Sequence, residues 1–317
     1  MENTIPVVDL GEYLSGDSAR KEKFIGELGA AYETIGFVAV VNHGIDEALV
    51  KKFYSLVEAF FAMPDEVKSR YEIPSLAGQR GYTSFGKEHA KGSTVGDLKE
   101  FWQVGQTITD NDPIQSEYPD NLSVNELPEF HTTASALYKA FEESGAHLLR
   151  AISNRLNLEE NYFDSKIHNG NSILRAIHYP PISGDPSSAI RAEQHEDINL
   201  ITLLVGASAE GLQVLRKDGQ WIPVQSVERQ IVVNVGDMLQ RLTNNRLRST
   251  THRVVNPPKE KWHLPRYSIP FFLHPRSDMP LNCLDSCIDN EHPKAYVDMS
   301  AGEYLDERLI EIGLKKK

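Results

Sequence analysis

The densest run of chemistry-bearing side chains is His195-Glu196-Asp197, set just before the apolar stretch from Asn199 to Val205. In an extended segment residues i and i+2 point to one face, so His195 and Asp197 converge while Glu196 turns away. A metal would need a third ligand from elsewhere. His252, in Ser249-Thr-Thr-His-Arg-Val-Val255, opens another strand-like run and completes two histidines and one carboxylate. That set occupies one face of an octahedron and leaves three positions open for substrates and O2, the arrangement that non-haem iron(II) uses for oxygen chemistry. Alone, an H-x-D is an unspecific pattern in a chain with 11 histidines, and its plain alternative is a surface loop.

A second feature agrees with the first. Arg266-Tyr-Ser268 follows His252 by 14 residues and lies inside the apolar run that reaches Phe272. Alternation puts Arg266 and Ser268 on one face, where a planar guanidinium can take a carboxylate through two parallel hydrogen bonds and the hydroxyl can add a third. The plain alternative is an edge-strand arginine paired with a surface acid. An arginine flanked by Ile269, Phe271 and Phe272 is costly to bury without a fixed anionic partner.

The elements that must carry these residues are short strands. After Ser172 the chain reads as Ile173 to Tyr179, Leu200 to Val205, Leu212 to Leu215, Ile231 to Val235, Arg253 to Val255 and Tyr267 to Leu273, separated by Gly, Asp and Asn. That pattern predicts a sandwich or barrel and argues against βαβ units. Upstream, Ile5 to Asp9 and Gly36 to Val41 read as strands, with Asn42-His-Gly44 as a turn. Apolar spacing predicts helices from about Ser18 to Thr34, around Leu49 to Phe60 ending near Pro64, and from Pro128 to Leu156. Residues from about Leu76 to Asn125 read as loops and edge strands, and a helix near Ser300 to Ile312 precedes a basic tail, Lys315 to Lys317.

Size and charge limit the possibilities. A chain of 317 residues with 40% hydrophobic content can bury a sizeable core as one domain. The expected division is a mostly helical part with loops at 1–125, a bracing helix at 126–170, a core with the metal site at 171–280 and a helical segment at 281–317. A formal net charge of -12 argues against nucleic-acid and anionic-membrane partners. No apolar run reaches the roughly 20 residues needed to span a bilayer. The start, Met1 to Pro6, lacks a basic region followed by an apolar stretch, which predicts a cytoplasmic protein. Cys283 and Cys287 are too few for a disulfide framework and read as free thiols.

Together these residues resemble the isopenicillin N synthase-like family of 2-oxoglutarate and iron(II)-dependent dioxygenases, the plant-type hydroxylase and desaturase branch, with this chain as a bacterial or other non-plant member. The resemblance runs over nearly the whole chain: Ile5-Pro-Val-Val-Asp-Leu10, Gly36-Phe37, Val41-Asn-His-Gly-Ile45, Phe60-Phe61 before Pro64, and Asp97-Leu-Lys-Glu100. It continues through Tyr179-Pro-Pro181, His195-Glu-Asp197, Gly211-Leu-Gln213, Gly236-Asp237 with Thr243-Asn244, His252-Arg-Val254 and Arg266-Tyr-Ser268.

The resemblance implies a mainly β fold with flanking helices, built on a double-stranded β-helix or jelly roll. It implies that His195, Asp197 and His252 hold the iron(II), and that Arg266 and Ser268 clamp the far carboxylate of 2-oxoglutarate with Tyr179 as a further donor. Many plant members carry Asn two residues before that tyrosine; this chain has Ile177. Arg175, Phe101 and Phe272 match positions that face the substrate. A permanent positive charge beside two aromatic rings suits a small organic substrate with a carboxylate and an apolar body, unless Arg175 pairs with an acid such as Glu193. His43 and His178 are not expected in the site, and Asn42-His-Gly44 and Gly236-Asp237 are read as structural turns. The implied reaction couples O2 and decarboxylation of 2-oxoglutarate, giving succinate and CO2, to hydroxylation or desaturation of the substrate. Two rival readings stay open: an iron(II) oxidase that dispenses with 2-oxoglutarate, and a jelly-roll binding or sensor protein without turnover. Oligomeric state is not indicated.

Overall fold

The computed structural model describes residues 4–89, 96–186, 189–225 and 227–311. Among these, twelve strands form two sheets: β1 (Val7–Asp9), β2 (Phe37–Val41), β3 (Gly81–Thr83), β4 (Glu100–Gly105), β5 (Ile173–Tyr179), β6 (Ala192–His195), β7 (Ile201–Val205), β8 (Leu212–Leu215), β9 (Trp221–Pro223), β10 (Gln230–Val235), β11 (His252–Val254) and β12 (Arg266–Leu273). The larger sheet has the order β1-β2-β10-β7-β12-β5-β4-β3 and the smaller one β6-β11-β8-β9. Among the described strands only β1 and β2 pair in parallel. The sheets face one another across a cavity of about 480 Å³, which is the jelly-roll layout expected of the sequence.

Strand alternation decides what each face of the large sheet does. On β12, Ile269, Phe271 and Leu273 point outward into the main apolar core, whereas Arg266, Ser268, Pro270 and Phe272 point into the cavity. Strand β5 divides in the same way, with Leu174 and Ala176 outward and Arg175, Ile177 and Tyr179 inward. The outer face is covered by the helix Glu129–Arg155, whose 27 residues span about 40 Å. Phe141 of that helix stacks on Phe271 at 5.3 Å, and Tyr138 meets the same ring edge-on at 4.9 Å. The helix Ser18–Thr34 is capped by Asp17, which accepts from Ala19 and Arg20, and buries Phe24, Leu28 and Tyr32. Asp46 caps the helix Glu47–Phe61, which buries Phe53, Val57 and Phe60.

At the Asn42-His-Gly44 turn, φ is 53° at Asn42 and 80° at Gly44, the left-handed region these residues tolerate. His43 Nδ1 there accepts from the Ile45 amide at 3.2 Å, so it serves the turn. Three strands depart from the sequence reading. Strand β4 is an interior strand buried along its whole length, although its Gly-, Ser- and Asp-rich surroundings read as loops and edge strands. Strands β6 and β9 are short and lack an apolar alternation to reveal them. The Gly236-Asp237 turn also opens a helix, Asp237–Leu242. Cys283 and Cys287 are buried free thiols. Ile312 and the basic tail Lys315 to Lys317 lie outside the described residues. No described helix is long and apolar enough to cross a membrane.

Candidate active site

Antiparallel pairing of β6 with β11 sets His195 directly across from His252. Their rings lie 4.4 Å apart between centroids. Asp197 follows in the loop after β6, so the i, i+2 convergence spans a strand end and a loop instead of one continuous strand. The Nε2 atoms of His195 and His252 stand 3.8 and 3.7 Å from the same oxygen, Asp197 Oδ1. The three donor atoms lie within 4.8 Å of one another, the only such group of His, Cys, Asp and Glu among the described residues.

The backbone and neighbouring side chains fix the ionisation state that a metal requires. His195 Nδ1 lies 2.7 Å from the Glu193 carbonyl and His252 Nδ1 lies 3.1 Å from the Thr250 carbonyl. A carbonyl oxygen only accepts, so both Nδ1 atoms carry the proton and both Nε2 lone pairs face Asp197. Burial, reinforced by the His252 charge, holds His195 below the usual histidine range and favours the neutral ring. Burial alone would raise the Asp197 carboxyl, but the two histidines and its hydrogen bonds outweigh it and keep the group ionised. Those bonds come from Thr202 Oγ1 at 2.6 Å and Asn234 Nδ2 at 2.8 Å, both to Oδ2, which leaves Oδ1 for the metal.

The sequence reading missed Thr202 and Asn234. Their signal was a polar residue inside an otherwise apolar strand, as in Ile231-Val-Val-Asn-Val235. Gly236 then passes so close to the ligand loop that a Cβ would sit 2.2 Å from the Asn199 carbonyl oxygen. Removing the Asn234 amide, as in Asn234→Ala, should free Asp197 to rotate and weaken iron binding roughly 10- to 100-fold. Competition with a chelator would measure this, and unchanged affinity would show that the contact is idle.

Arg266 is 1% exposed and sits on the interior strand β12, which excludes the edge-strand alternative. Its Nε donates to the Ala209 carbonyl at 3.0 Å, while Nη1 is buried without a partner. Ser268 and Tyr179 line the same cavity. Arg266 is directly opposite Tyr179 in the β12–β5 register, with its Cζ 5.0 Å from the tyrosine ring centre. A buried guanidinium with an unused N–H beside a hydroxyl and a phenol fits a carboxylate.

The substrate-facing positions need one correction and one addition. Arg175 lines the cavity, with its Cζ 4.2 Å above the Phe101 ring and 5.2 Å from that of Phe272. Phe101 itself does not line it: the guanidinium lies over the ring, which packs with Ile177 and Tyr179 and acts as a floor. Arg175 also has an acidic partner, and that partner is Glu88, not Glu193, at 3.2 Å. Its Nε donates to Gln103 Oε1 at 2.9 Å. Lys99 donates to Glu88 and to Asp97, both at 2.7 Å. Burial opposes ionised Glu88, but Arg175 and Lys99 prevail and pull it down to about 2. The wall therefore carries two cations and two anions. In the sequence Asp97 and Lys99 belong only to the run Asp97-Leu-Lys-Glu100 with no role indicated, and Glu88 gives no signal because its pairing with Arg175 is long-range. His274 also lines the cavity, with Nδ1 buried and unpartnered and its pKa lowered by burial to about 4. His178, as expected, faces away and binds Glu100 at 2.7 Å.

Residues 5–130 match the family described as the non-haem dioxygenase in morphine synthesis N-terminal domain. Residues 170–275 match the 2OG-Fe(II) oxygenase superfamily. The chain is 32% identical to a proline hydroxylase of Petromyces alliaceus, over 96% of this chain and 98% of that protein. It is 31% identical to a 2-oxoglutarate-Fe(II) type oxidoreductase of Emericella nidulans, over 94% and 89%. Among solved structures, a Caulobacter crescentus protein described as of the 2OG-Fe(II) oxygenase family superposes with a TM-score of 0.88 at 42% identity, covering 97% of this chain and 99% of that one. A Neurospora crassa protein solved with alpha-KG and thymine superposes with a TM-score of 0.84 at 30% identity, covering 96% of each chain.

Proposed function

The chain belongs to the 2OG-Fe(II) oxygenase superfamily, and from that premise we propose which residues do what in its reaction. It is an iron(II)- and 2-oxoglutarate-dependent dioxygenase acting on a small molecule. We assign iron(II) to His195, Asp197 and His252. When bound, the iron supplies the redox centre at which O2 is activated while 2-oxoglutarate is converted to succinate and CO2. The protein fixes both Nε2 lone pairs and one carboxylate oxygen on one side and leaves the opposite side to the cavity. Arg266 and Ser268 take the far carboxylate of 2-oxoglutarate, and Tyr179 adds a donor beside it. Ile177, Leu204 and Phe272 add apolar wall to the same cavity, and a hydrogen bond to a charged group strengthens where bound cosubstrate displaces water. The same reading takes 1–317 as one dioxygenase domain, located in the cytoplasm, that hydroxylates or desaturates its substrate.

Arg175 and Phe272 form the substrate wall, with Phe101 beneath the guanidinium. A simple carboxylate is a poorer fit than the sequence implied, because Glu88 already neutralises Arg175. The wall suits a substrate without net charge: a neutral hydrogen-bonding ring, or a zwitterion whose carboxylate meets Arg175 and whose cation meets Glu88. Relatives that bind thymine or hydroxylate proline support this. Arg175→Met should raise KM for the best substrate about tenfold with the 2-oxoglutarate affinity unchanged, and Glu88→Gln should shift preference toward simple carboxylates. A best substrate that is a simple anion, with kinetics unaffected by Glu88→Gln, would contradict the paired wall.

One observation carries the assignment: two Nε2 atoms facing one carboxylate oxygen in the same cavity as a buried, unpartnered Arg266 N–H. A substrate panel on anaerobically reconstituted protein, read for succinate and product mass together, tests it. Succinate formed in step with product is the expected result. Product without succinate would favour the oxidase, and binding without oxygen uptake the sensor.

A further inference from the structure

Arg191 lies four residues before His195, at the entrance to β6, and is 2% exposed. Its Nη2 donates to the Leu264 carbonyl at 3.1 Å, and its Nε is buried with no partner. Its Cζ lies 5.9 Å from the centre of the Tyr179 ring, against which Arg266 also rests at 5.0 Å. Two guanidinium groups are thus buried around one phenol, and neither has a carboxylate partner among the described residues. One carbonyl each and a shared aromatic ring offset only part of the cost of burying such charges. Burial, and after it the Arg266 charge, lowers Arg191 to about 10, so it stays protonated at neutral pH. In the cavity wall the buried charges are paired, as Glu88, Lys99 and Asp97 are, although Arg80, buried elsewhere, also lacks an acidic partner among the described residues. Two such charges gathered around one phenol at the cavity call for an anion that arrives from solution.

We propose that Arg191 is a positioning residue for the dicarboxylate cosubstrate. It does not line the cavity; it adds positive potential behind Tyr179 and sets that ring toward the carboxylate held by Arg266, which makes the site selective for a dianion over a monoanion. The inference rests on the assignment of Arg266 to 2-oxoglutarate. No covalent step is involved. The competing role is mechanical: Arg191 would tie β6 to the start of β12 through Leu264, and its loss would loosen the iron site as a whole.

Comparing two keto acids on iron(II)-loaded protein without O2 separates these roles. 2-Oxoglutarate and 2-oxobutyrate share the chelating keto acid and differ in the far carboxylate, and calorimetry gives both Kd values without turnover. Wild-type protein should prefer 2-oxoglutarate by about a hundredfold or more. Arg191→Met should narrow that preference about tenfold while 2-oxobutyrate affinity changes less than about twofold, and Arg191→Lys should restore most of the preference. If Arg191→Met fails to fold, Arg191→Gln, which keeps a donor for Leu264, replaces it. An equal loss for both keto acids, no change in their ratio, or failure of both uncharged variants to fold would overturn the inference. A wild-type protein that binds the two keto acids equally would instead overturn the Arg266 assignment, so the two failures are distinguishable.

Discussion

Alanine at His195, Asp197 or His252 leaves a folded protein that holds no iron and turns nothing over. Each substitution removes one of three donors, and loss of an outer contact alone costs roughly 10- to 100-fold in metal affinity, so loss of a donor costs more. The fold should survive, because all three side chains face the cavity and none belongs to the apolar core behind the large sheet. In Asp197→Ala the protein also loses a buried carboxylate whose burial is unfavourable without a cation, which offsets the orphaning of Asn234 and Thr202. Iron content after anaerobic reconstitution, oxygen uptake and far-UV circular dichroism check the prediction together. Wild-type iron content and oxygen uptake in all three variants would remove the triad from the account.

Arg266→Ala should raise the Kd for 2-oxoglutarate by about a hundredfold or more. The variant loses up to two hydrogen bonds to a charged group, each contributing about 1.5–3 kcal/mol, from a side chain that is 1% exposed. Arg266→Lys should fall between the two, since an ammonium cannot bond a carboxylate in a parallel pair. Arg266 carries no acidic partner among the described residues, so its removal should barely lower Tm in the absence of cosubstrate. The rise in Tm that 2-oxoglutarate confers on the wild type should then shrink at a given concentration. A thermal-shift titration reads both effects, and an undiminished shift in Arg266→Ala would place the cosubstrate elsewhere.

Local periodicity made much of this architecture legible, and long-range pairing made the rest invisible. The helix Ser18–Thr34 is legible from the spacing of Phe24, Leu28 and Tyr32, and the strand Ile173–Tyr179 from its run of apolar residues between polar segments. The triad was legible as types and spacing, and β12 carried Arg266 and Ser268 inward as alternation requires. Strand β6 was not legible: Ala-Glu-Gln-His has no apolar rhythm, and it becomes a strand by pairing with β11. Glu88 was invisible for a related reason, since its partner Arg175 is 87 residues away in sequence. Phe101 illustrates a different limit. The resemblance placed it facing the substrate, but only the structure shows Arg175 covering it.

One cavity should hold both iron(II), through His195, Asp197 and His252, and 2-oxoglutarate, through Arg266. The most direct test is an anaerobic absorption titration with iron(II) followed by 2-oxoglutarate. The expected result is one iron per chain and a metal-to-ligand charge-transfer band that saturates at one equivalent of cosubstrate and disappears in His252→Ala. Absence of the band in the wild type, or its persistence unchanged in His252→Ala, would contradict it.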